Sequence, residues 1–303
     1  MLAFSTSWST RKNRSGEEIV REILDLGFDT IELGHGLKAP AVQEILAARK
    51  SLRFNVSSLH NFCPLPPEVN VDQPDCYEFT SHRPGDRERA VRLTMQTIDM
   101  AERFEARHVV IHSGRIRTLH LTEPLRALVA EGKFLSREYA RAKLEAVKKR
   151  EAVGEGYIQR ALECLVEIAD YASKKGIRIG IENREHYEAM PSEREFENFL
   201  QRLDAVNAGY WHDFGHAQIK HNLALLDHAG WLDRIGSRAI GCHVHDVKAP
   251  FEDHRAPFSG EINFGQLVPK LPGSCIFVFE LHPRTPREEI LTAADRWKKL
   301  FGP

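Results

Sequence analysis

Four apolar runs in the second half of the chain each end in a side chain that can bind a metal. The runs IRIGIE, AGYWHD, RAIGCH and CIFVFE end at Glu182, Asp213, His243 and Glu280. Each run is typical of a short buried strand. An acid or an imidazole at the end of such a strand is costly to bury without compensation, so four in succession predict one shared site. This set of ligands suits Mn, Mg, Co, Fe or Zn, which indicates metal-assisted chemistry.

The segments that position these residues alternate between strand and helix along the whole chain. Eight β/α units favour a (β/α)8 barrel over an open doubly wound sheet, and residues 1–303 are expected to form one domain. The carboxyl ends of the strands would then meet on one face of the barrel. Ser15 and Glu18 have the spacing of a capping box at the first helix. The predicted strands are 2–7, 28–33, 53–60, 107–112, 177–182, 208–213, 238–243 and 275–280.

Two long loops are expected on the same face, because both follow strands. One follows the third strand at 61–84, and a second, partly helical insertion follows the fourth strand at 114–153. Loops of this length in a compact domain are usually lids or substrate walls. Gly154 and Gly156 interrupt the helical sequence that follows, which suggests a kink or a break.

The composition gives little bias toward a charged macromolecule. The formal net charge is −1, which does not favour nucleic acid or an anionic membrane. Five scattered cysteines are typical of free thiols in a reducing compartment. The amino-terminal residues lack the pattern of a signal peptide, and no apolar run approaches the length of a membrane span. The sequence therefore predicts a soluble cytoplasmic protein.

Further metal-capable side chains lie at or after strand ends on the same face. We treat them as candidates for additional metal ligands or substrate contacts. For the histidines, the competing interpretation is a core imidazole with satisfied hydrogen bonds, and for the two loop residues it is a solvated side chain. These candidates are His60, His112, His216, His245, Glu252 and His254.

Five residues are candidates for contacts with a substrate. Arg184 follows a predicted ligand and could hold a substrate oxygen or a phosphate through its guanidinium fork, or form a surface salt bridge instead. Arg115 and Arg117 could neutralise an anionic group. Trp8 and Phe62 lie next to strand ends, where aromatic rings would suit the apolar faces of a sugar, although core packing is the commoner role of such rings.

The motifs IENRE, HDFGH, CHVHD, FEDHRAPFSGEINF and FELHP resemble the xylose isomerase-like barrel superfamily. This group includes sugar and sugar-phosphate isomerases and epimerases, and the endonuclease IV nucleases that act at abasic sites. The resemblance covers essentially the whole chain. It implies that Glu182, Asp213, His243 and Glu280 bind one divalent ion (Mn, Mg, Co or Zn). In the epimerase branch, the two glutamates also act as paired acid and base on opposite faces of the substrate.

The nuclease branch binds up to three zinc ions. The resemblance places its extra ligands at His60, His112, His216, Glu252 and His254, where the D-x-H of that branch is replaced by Glu252-Asp253-His254. The near-zero charge and the lack of a dense basic stripe weigh against DNA as a partner.

We therefore predict a metal-dependent sugar (or sugar-phosphate or keto-polyol) isomerase or epimerase. The alternatives are an abasic-site phosphodiesterase and a non-catalytic sugar-binding barrel, and the intact pair Glu182 and Glu280 argues against the last. The expected partner is a small sugar or sugar phosphate, without a membrane. The resemblance also implies a homo-oligomer.

Overall fold

The computed structural model describes residues 1–10, 14–69, 74–203 and 208–302, in which eight parallel strands close into a barrel. The barrel strands are β1 (Leu2–Ser5), β2 (Thr30–Leu33), β3 (Asn55–His60), β4 (His108–Ile111), β5 (Arg178–Glu182), β6 (Ala208–Asp213), β7 (Ala239–Val244) and β10 (Ile276–Phe279). They pair in chain order, and β10 closes the barrel between β7 and β1. A two-stranded antiparallel sheet of β8 (Asp246–Lys248) and β9 (Glu252–Arg255) follows β7. The predicted (β/α)8 architecture is confirmed.

Helices connect the barrel strands. They are α1 (Gly16–Asp25), α2 (Ala39–Ala48), α3 (Pro84–Phe104), α4 (Thr122–Ala130), α5 (Arg137–Ser173), α6 (Glu193–Leu203), α7 (Phe214–Asn222), α8 (His228–Ile235), α9 (Phe264–Leu267) and α10 (Arg287–Phe301). The capping box at α1 is present, since Ser15 N donates to Glu18 Oε2 at 2.8 Å and Glu18 N donates to Ser15 Oγ at 3.2 Å. Within the described residues, no helix is both long and apolar enough to cross a membrane.

The predicted break at Gly154 and Gly156 is wrong, because α5 continues through both residues. A glycine in a helix costs only about 1 kcal/mol relative to alanine. The buried face of α5 outweighs this cost, since Tyr157 and Ile158 are buried directly after the glycines. Of the predicted long loop after β3, residues 70–73 lie outside the described residues. The predicted insertion after β4 contains α4 and the first part of α5.

The barrel interior is filled by side chains directly beneath the predicted ligands. Trp211 lies two residues before Asp213 and so on the same face of β6. Its ring is fully buried and contacts the His243 ring edge-on, with 5.4 Å between centroids. Gly180 and Gly241 make room for it, because a Cβ at these positions would lie 2.9 and 2.2 Å from its ring atoms. The Trp211 ring therefore fills the barrel interior directly beneath the site.

Candidate active site

The four predicted ligands converge at the carboxyl ends of their strands. His243 Nδ1 lies 3.2 Å from Glu280 Oε2, 3.6 Å from Glu182 Oε1 and 3.7 Å from Asp213 Oδ2. All four residues are at least 95% buried, with Glu280 the most exposed at 5%. Ligands of a tetrahedral ion with bonds of about 2.1 Å lie about 3.4 Å apart, so these separations fit one shared cation.

The orientation of His243 also fits a cation. Its Nε2 faces the two oxygens of Glu32 at 3.2 and 3.3 Å. A carboxylate only accepts, so we infer that Nε2 carries a proton and that a metal would bind the other nitrogen, Nδ1. Burial opposes a charge on the ring, but Glu280 and Glu32 raise the pKa of His243 well above its ordinary value. Nδ1 is buried and makes no hydrogen bond with any described residue, although three carboxylates face it. Three carboxylates around one imidazole nitrogen stabilise a positive charge at that place, which a divalent metal would supply in exchange for the proton, so the residues fit such an ion.

Glu32 is a functional candidate that the sequence analysis missed. It is fully buried on β2, and its Oε2 accepts a hydrogen bond of 2.8 Å from Ser58 Oγ. Carboxylates commonly orient metal-binding histidines in this way. The sequence signal for Glu32 is an acid within the apolar strand TIEL. It was missed because Leu33 follows Glu32, so this acid does not stand at the end of its apolar run.

His245 supports Asp213. Asp213 Oδ1 accepts from the backbone N of His216 at 2.7 Å at the start of α7, and its Oδ2 lies 3.1 Å from His245 Nε2. The backbone N of His254 donates to His245 Nδ1 at 2.9 Å, so Nε2 must carry the proton and donate to Asp213. Gly215 permits this packing, because a Cβ there would lie 2.0 Å from His245 Cε1. Burial opposes ionisation of Asp213, but the charge of His216 and the hydrogen bond from His245 lower its pKa below the usual range.

Oε2 of Glu182, the oxygen farther from His243, faces His60 and His112. His60 Nε2 lies 3.2 Å and His112 Nε2 2.9 Å from Glu182 Oε2, and His112 Nδ1 lies 2.7 Å from Asp75 Oδ1. Arg184 NH1 lies 2.6 Å from His112 Nε2 and 3.3 Å from Glu182 Oε1. Burial opposes ionisation of Glu182, but the charges of His112 and Arg184 hold its pKa well below the ordinary value. Glu182 is therefore a carboxylate.

A second group of metal-capable side chains lies beside the first. His216 Nε2 is 2.9 Å from Glu185 Oε2, and His254 Nδ1 is 3.2 Å from Asp253 Oδ1. Burial lowers the pKa of His254, but Asp253 outweighs it and raises the pKa to about 8. The structure does not bring Glu252 into this group: its side chain is 57% exposed, and Asp253 faces the site instead. The acid that faces the site is therefore the residue directly before His254, and not the residue two positions before it as in the D-x-H motif.

Residues of both groups line a cavity of about 270 Å³ at the mouth of the barrel. Trp8 and Phe62 are not among the described residues that line it. Trp8 Nε1 donates to Thr285 O at 3.0 Å, and Phe62 is 2% exposed beside Tyr77, so their contact with a substrate stays a prediction. The lining residues are His35, His60, Pro74, His112, Glu182, Arg184, Glu185, His216, Asp253, His254 and Glu280.

Comparison with known proteins agrees with the fold and the motifs. Residues 20–300 match the model of the xylose isomerase-like TIM barrel family. The chain belongs to this family. The sequence also matches the uncharacterized protein MJ1311 of Methanocaldococcus jannaschii, at 30% identity over 109 residues. That match spans 35% of this chain and 36% of the relative, about a third of each.

Several solved structures share the fold across their whole length. A D-tagatose 3-epimerase-like protein is 18% identical with a TM-score of 0.69, over 99% of this chain and 96% of that one. The 3-keto-D-glucoside 4-epimerase YcjR from E. coli is 13% identical with a TM-score of 0.68, over 98% of each chain. The IolI protein, solved with a bound zinc atom, is 15% identical with a TM-score of 0.68, over 99% and 97%. At these identities the likeness shows the fold alone.

Proposed function

We propose that this xylose isomerase-like barrel is a divalent-metal-dependent isomerase or epimerase of a sugar or a related keto-polyol. The observation that carries the proposal is the convergence of Glu182, Asp213 and Glu280 on Nδ1 of His243, a nitrogen that makes no hydrogen bond with a described residue. Both glutamates also line the cavity that a substrate would enter. The sugar epimerases among the structures of this fold support a carbohydrate as the substrate class.

The side chains of the site fit proton transfer next to a carbonyl. A metal held by Glu182, Asp213, His243 and Glu280 would polarise the substrate oxygens and acidify the neighbouring C–H. Glu182 and Glu280 would exchange the proton, with one acting as base and the same or the other returning it. Burial opposes ionisation of Glu280, but His243, His254 and His60 lower its pKa to about 2. Both glutamates therefore carry the charge that a proton acceptor needs.

Arg184 fits a role in orienting the substrate. Its side chain is 18% exposed and lines the cavity beside Glu182. A guanidinium remains charged at all relevant pH values and presents N–H groups in a planar fork. Arg184 would therefore donate to a substrate oxygen while it stabilises the ionised form of Glu182.

Zinc-dependent cleavage of a phosphodiester at abasic sites is the second candidate. Several further groups of metal-capable side chains favour it, among them His60 with Glu182 and His216 with Glu185 and Asp253. The position of Arg184 opposes it, because its guanidinium, 2.6 Å from His112 Nε2, would compete with a second ion beside Glu182. Metal content per chain separates the candidates: one equivalent fits the isomerase, and two or three equivalents of zinc fit the nuclease.

Exchange of a substrate C–H proton with deuterated water tests the proposed chemistry directly. We expect exchange with at least one ketose of a panel, and expect it to be lost in Glu182→Gln, in Glu280→Gln and after chelation. Glu105→Gln is the matched control, since the Glu105 side chain is 78% exposed and far from the cavity in the fold. Full exchange by the chelated protein would refute metal dependence. Cleavage of an abasic-site duplex without any exchange would favour the nuclease.

A further inference from the structure

Two arginines on the loop that follows β4 share one buried carboxylate. Arg115 Nε lies 3.2 Å from Glu78 Oε1, and Arg117 Nε lies 2.8 Å from Glu78 Oε2. The Glu78 side chain is 2% exposed, whereas those of Arg115 and Arg117 are 47% and 60% exposed. Within the described residues, no hydrogen bond uses the terminal nitrogens of this arginine pair. Both guanidinium groups are thus anchored through Nε, with their terminal nitrogens available to a ligand.

The loop that carries the arginine pair is held in place before any ligand arrives. Arg115 N donates to Thr80 Oγ1 at 3.2 Å, and the same hydroxyl donates to Arg115 O at 2.9 Å. Ile116 N donates to the carbonyl of Glu188 at 2.9 Å. Gly114 has a φ of +95°, which favours glycine, and a Cβ there would lie 2.7 Å from Thr80 Oγ1. The fold therefore already orders this loop, so the loop loses little conformational entropy when a ligand binds.

Two further arginines and two acids lie near the arginine pair. A cavity of about 320 Å³ beside Arg117 is also lined by Arg83, and by the acids Glu78 and Asp86. Arg160 lies close by, with its Nε 3.0 Å from the carbonyl of Thr80. Its NH2 nitrogen is buried and has no hydrogen-bond partner among the described residues. The Arg160 guanidinium also lies over the Tyr157 ring, with its Cζ 4.6 Å from the centroid, so the fold holds this charge in place.

Neither arginine of the pair is among the residues that line the candidate active-site cavity, but Asp75 interacts with both sides. Its Oδ1 lies 2.7 Å from Nδ1 of His112, which lines the cavity, and the charge of Arg115 acts on its carboxylate. Burial opposes ionisation of Asp75, but the charges of His112, Arg184 and Arg115 lower its pKa below the usual range. Arg115 therefore acts electrostatically on a residue that touches the cavity wall.

We propose that Arg115 and Arg117 bind an anionic group of the substrate, a phosphate monoester or a carboxylate, while its carbonyl lies at Glu182 and Glu280. This inference rests on the proposed isomerase or epimerase function and narrows its substrate class to anionic sugars. Guanidinium groups bind both anions through paired, charge-assisted N–H bonds. A neutral sugar offers no charged group to the terminal nitrogens that Glu78 leaves available on Arg115 and Arg117.

Calorimetric titration with inorganic phosphate, and separately with acetate, tests the anion site without requiring turnover. The variant is Arg115→Gln/Arg117→Gln, and the control is Arg234→Gln, because Arg234 is 57% exposed and bonded through Nε to a glutamate outside the cavity. We expect phosphate to bind about tenfold more weakly for each arginine removed, and the control to match the wild type. Tighter binding of acetate than of phosphate would assign the site to a carboxylate.

Two results of the phosphate titration itself would overturn the assignment. One is unchanged phosphate affinity in a double variant that melts at the wild-type temperature. The other is phosphate binding that disappears on chelation but survives the double substitution, which would place the anion on the metal. Displacement of phosphate by abasic-site DNA, with no displacement by sugar phosphates, would assign the pair to a nucleic acid and refute the proposal.

Kinetics connect the anion site to catalysis. For an active ketose, kcat/KM is measured for the phosphorylated (or carboxylated) form and for the neutral form. The ratio of the first value to the second should fall in the double variant by the same factor as the phosphate affinity. An unchanged ratio would refute the role in substrate binding. Loss of phosphate affinity in the double variant, with no turnover of any ketose by the wild type, would instead refute the proposed function and leave the anion site standing.

Discussion

Replacing Glu32 by glutamine tests whether His243 presents Nδ1 to a metal. Glu32 accepts from His243 Nε2 at 3.2 and 3.3 Å and from Ser58 Oγ at 2.8 Å. The amide keeps the size of the carboxylate but loses its charge, and one of its two ends becomes a donor. Removing such a partner of a metal-binding histidine usually weakens metal affinity 10–100-fold, or by about 1.4–2.8 kcal/mol. We therefore expect the Kd for zinc or manganese to rise by this factor.

Competition with a chromophoric chelator measures this change in Kd. Glu105→Gln is the control for loss of a carboxylate at the surface, and Ser58→Ala should give a smaller increase because the carboxylate of Glu32 remains. Melting of the metal-free proteins by circular dichroism verifies that each variant folds. A folded Glu32→Gln variant with wild-type metal affinity would refute the inferred proton position on His243. Complete loss of binding would show that Glu32 is itself a ligand.

Three further predictions concern the surroundings of the site. The metal-free protein should lose stability as pH rises from about 6.5 to about 8: Asp253 raises the pKa of His254 to about 8, so the folded state holds a proton that the unfolded state releases. A melting temperature that rises across this window would contradict it. Gly215→Ala should destabilise the protein by about 1–3 kcal/mol and weaken metal binding, because the added Cβ would lie 2.0 Å from Cε1 of the His245 ring. Denaturant unfolding measures the stability and the chelator assay measures the metal affinity. Wild-type values in both would refute the close packing of Gly215 against His245. Tyr210→Phe should cost about 1–3 kcal/mol in denaturant unfolding, because Trp231 Nε1 loses its acceptor at 3.0 Å, and an unchanged midpoint would contradict this.

Much of the site could be read from strand-end residues. Glu182, Asp213 and Glu280 lie within one residue of a strand end because parallel strands of a barrel all open toward one face. The period of apolar residues marks the strands, and the capping box at Ser15 marks a helix start through local hydrogen bonds alone. These features depend on residues that are close in the chain, so the sequence by itself determined the fold and which side chains reach the mouth of the barrel.

The tertiary structure decided how those side chains are used. Glu32 meets His243 across 211 positions of sequence, and closure of the barrel rather than any local pattern creates that contact. The contacts of His245 with Asp213 and with the backbone of His254 fix which of its nitrogens carries the proton, and the β8–β9 hairpin turns Asp253, in place of Glu252, toward the cavity. Proton positions and pair distances depend on groups brought together by strand register and loop packing. A one-dimensional pattern therefore identifies the candidate ligands, whereas only the folded chain determines their partners.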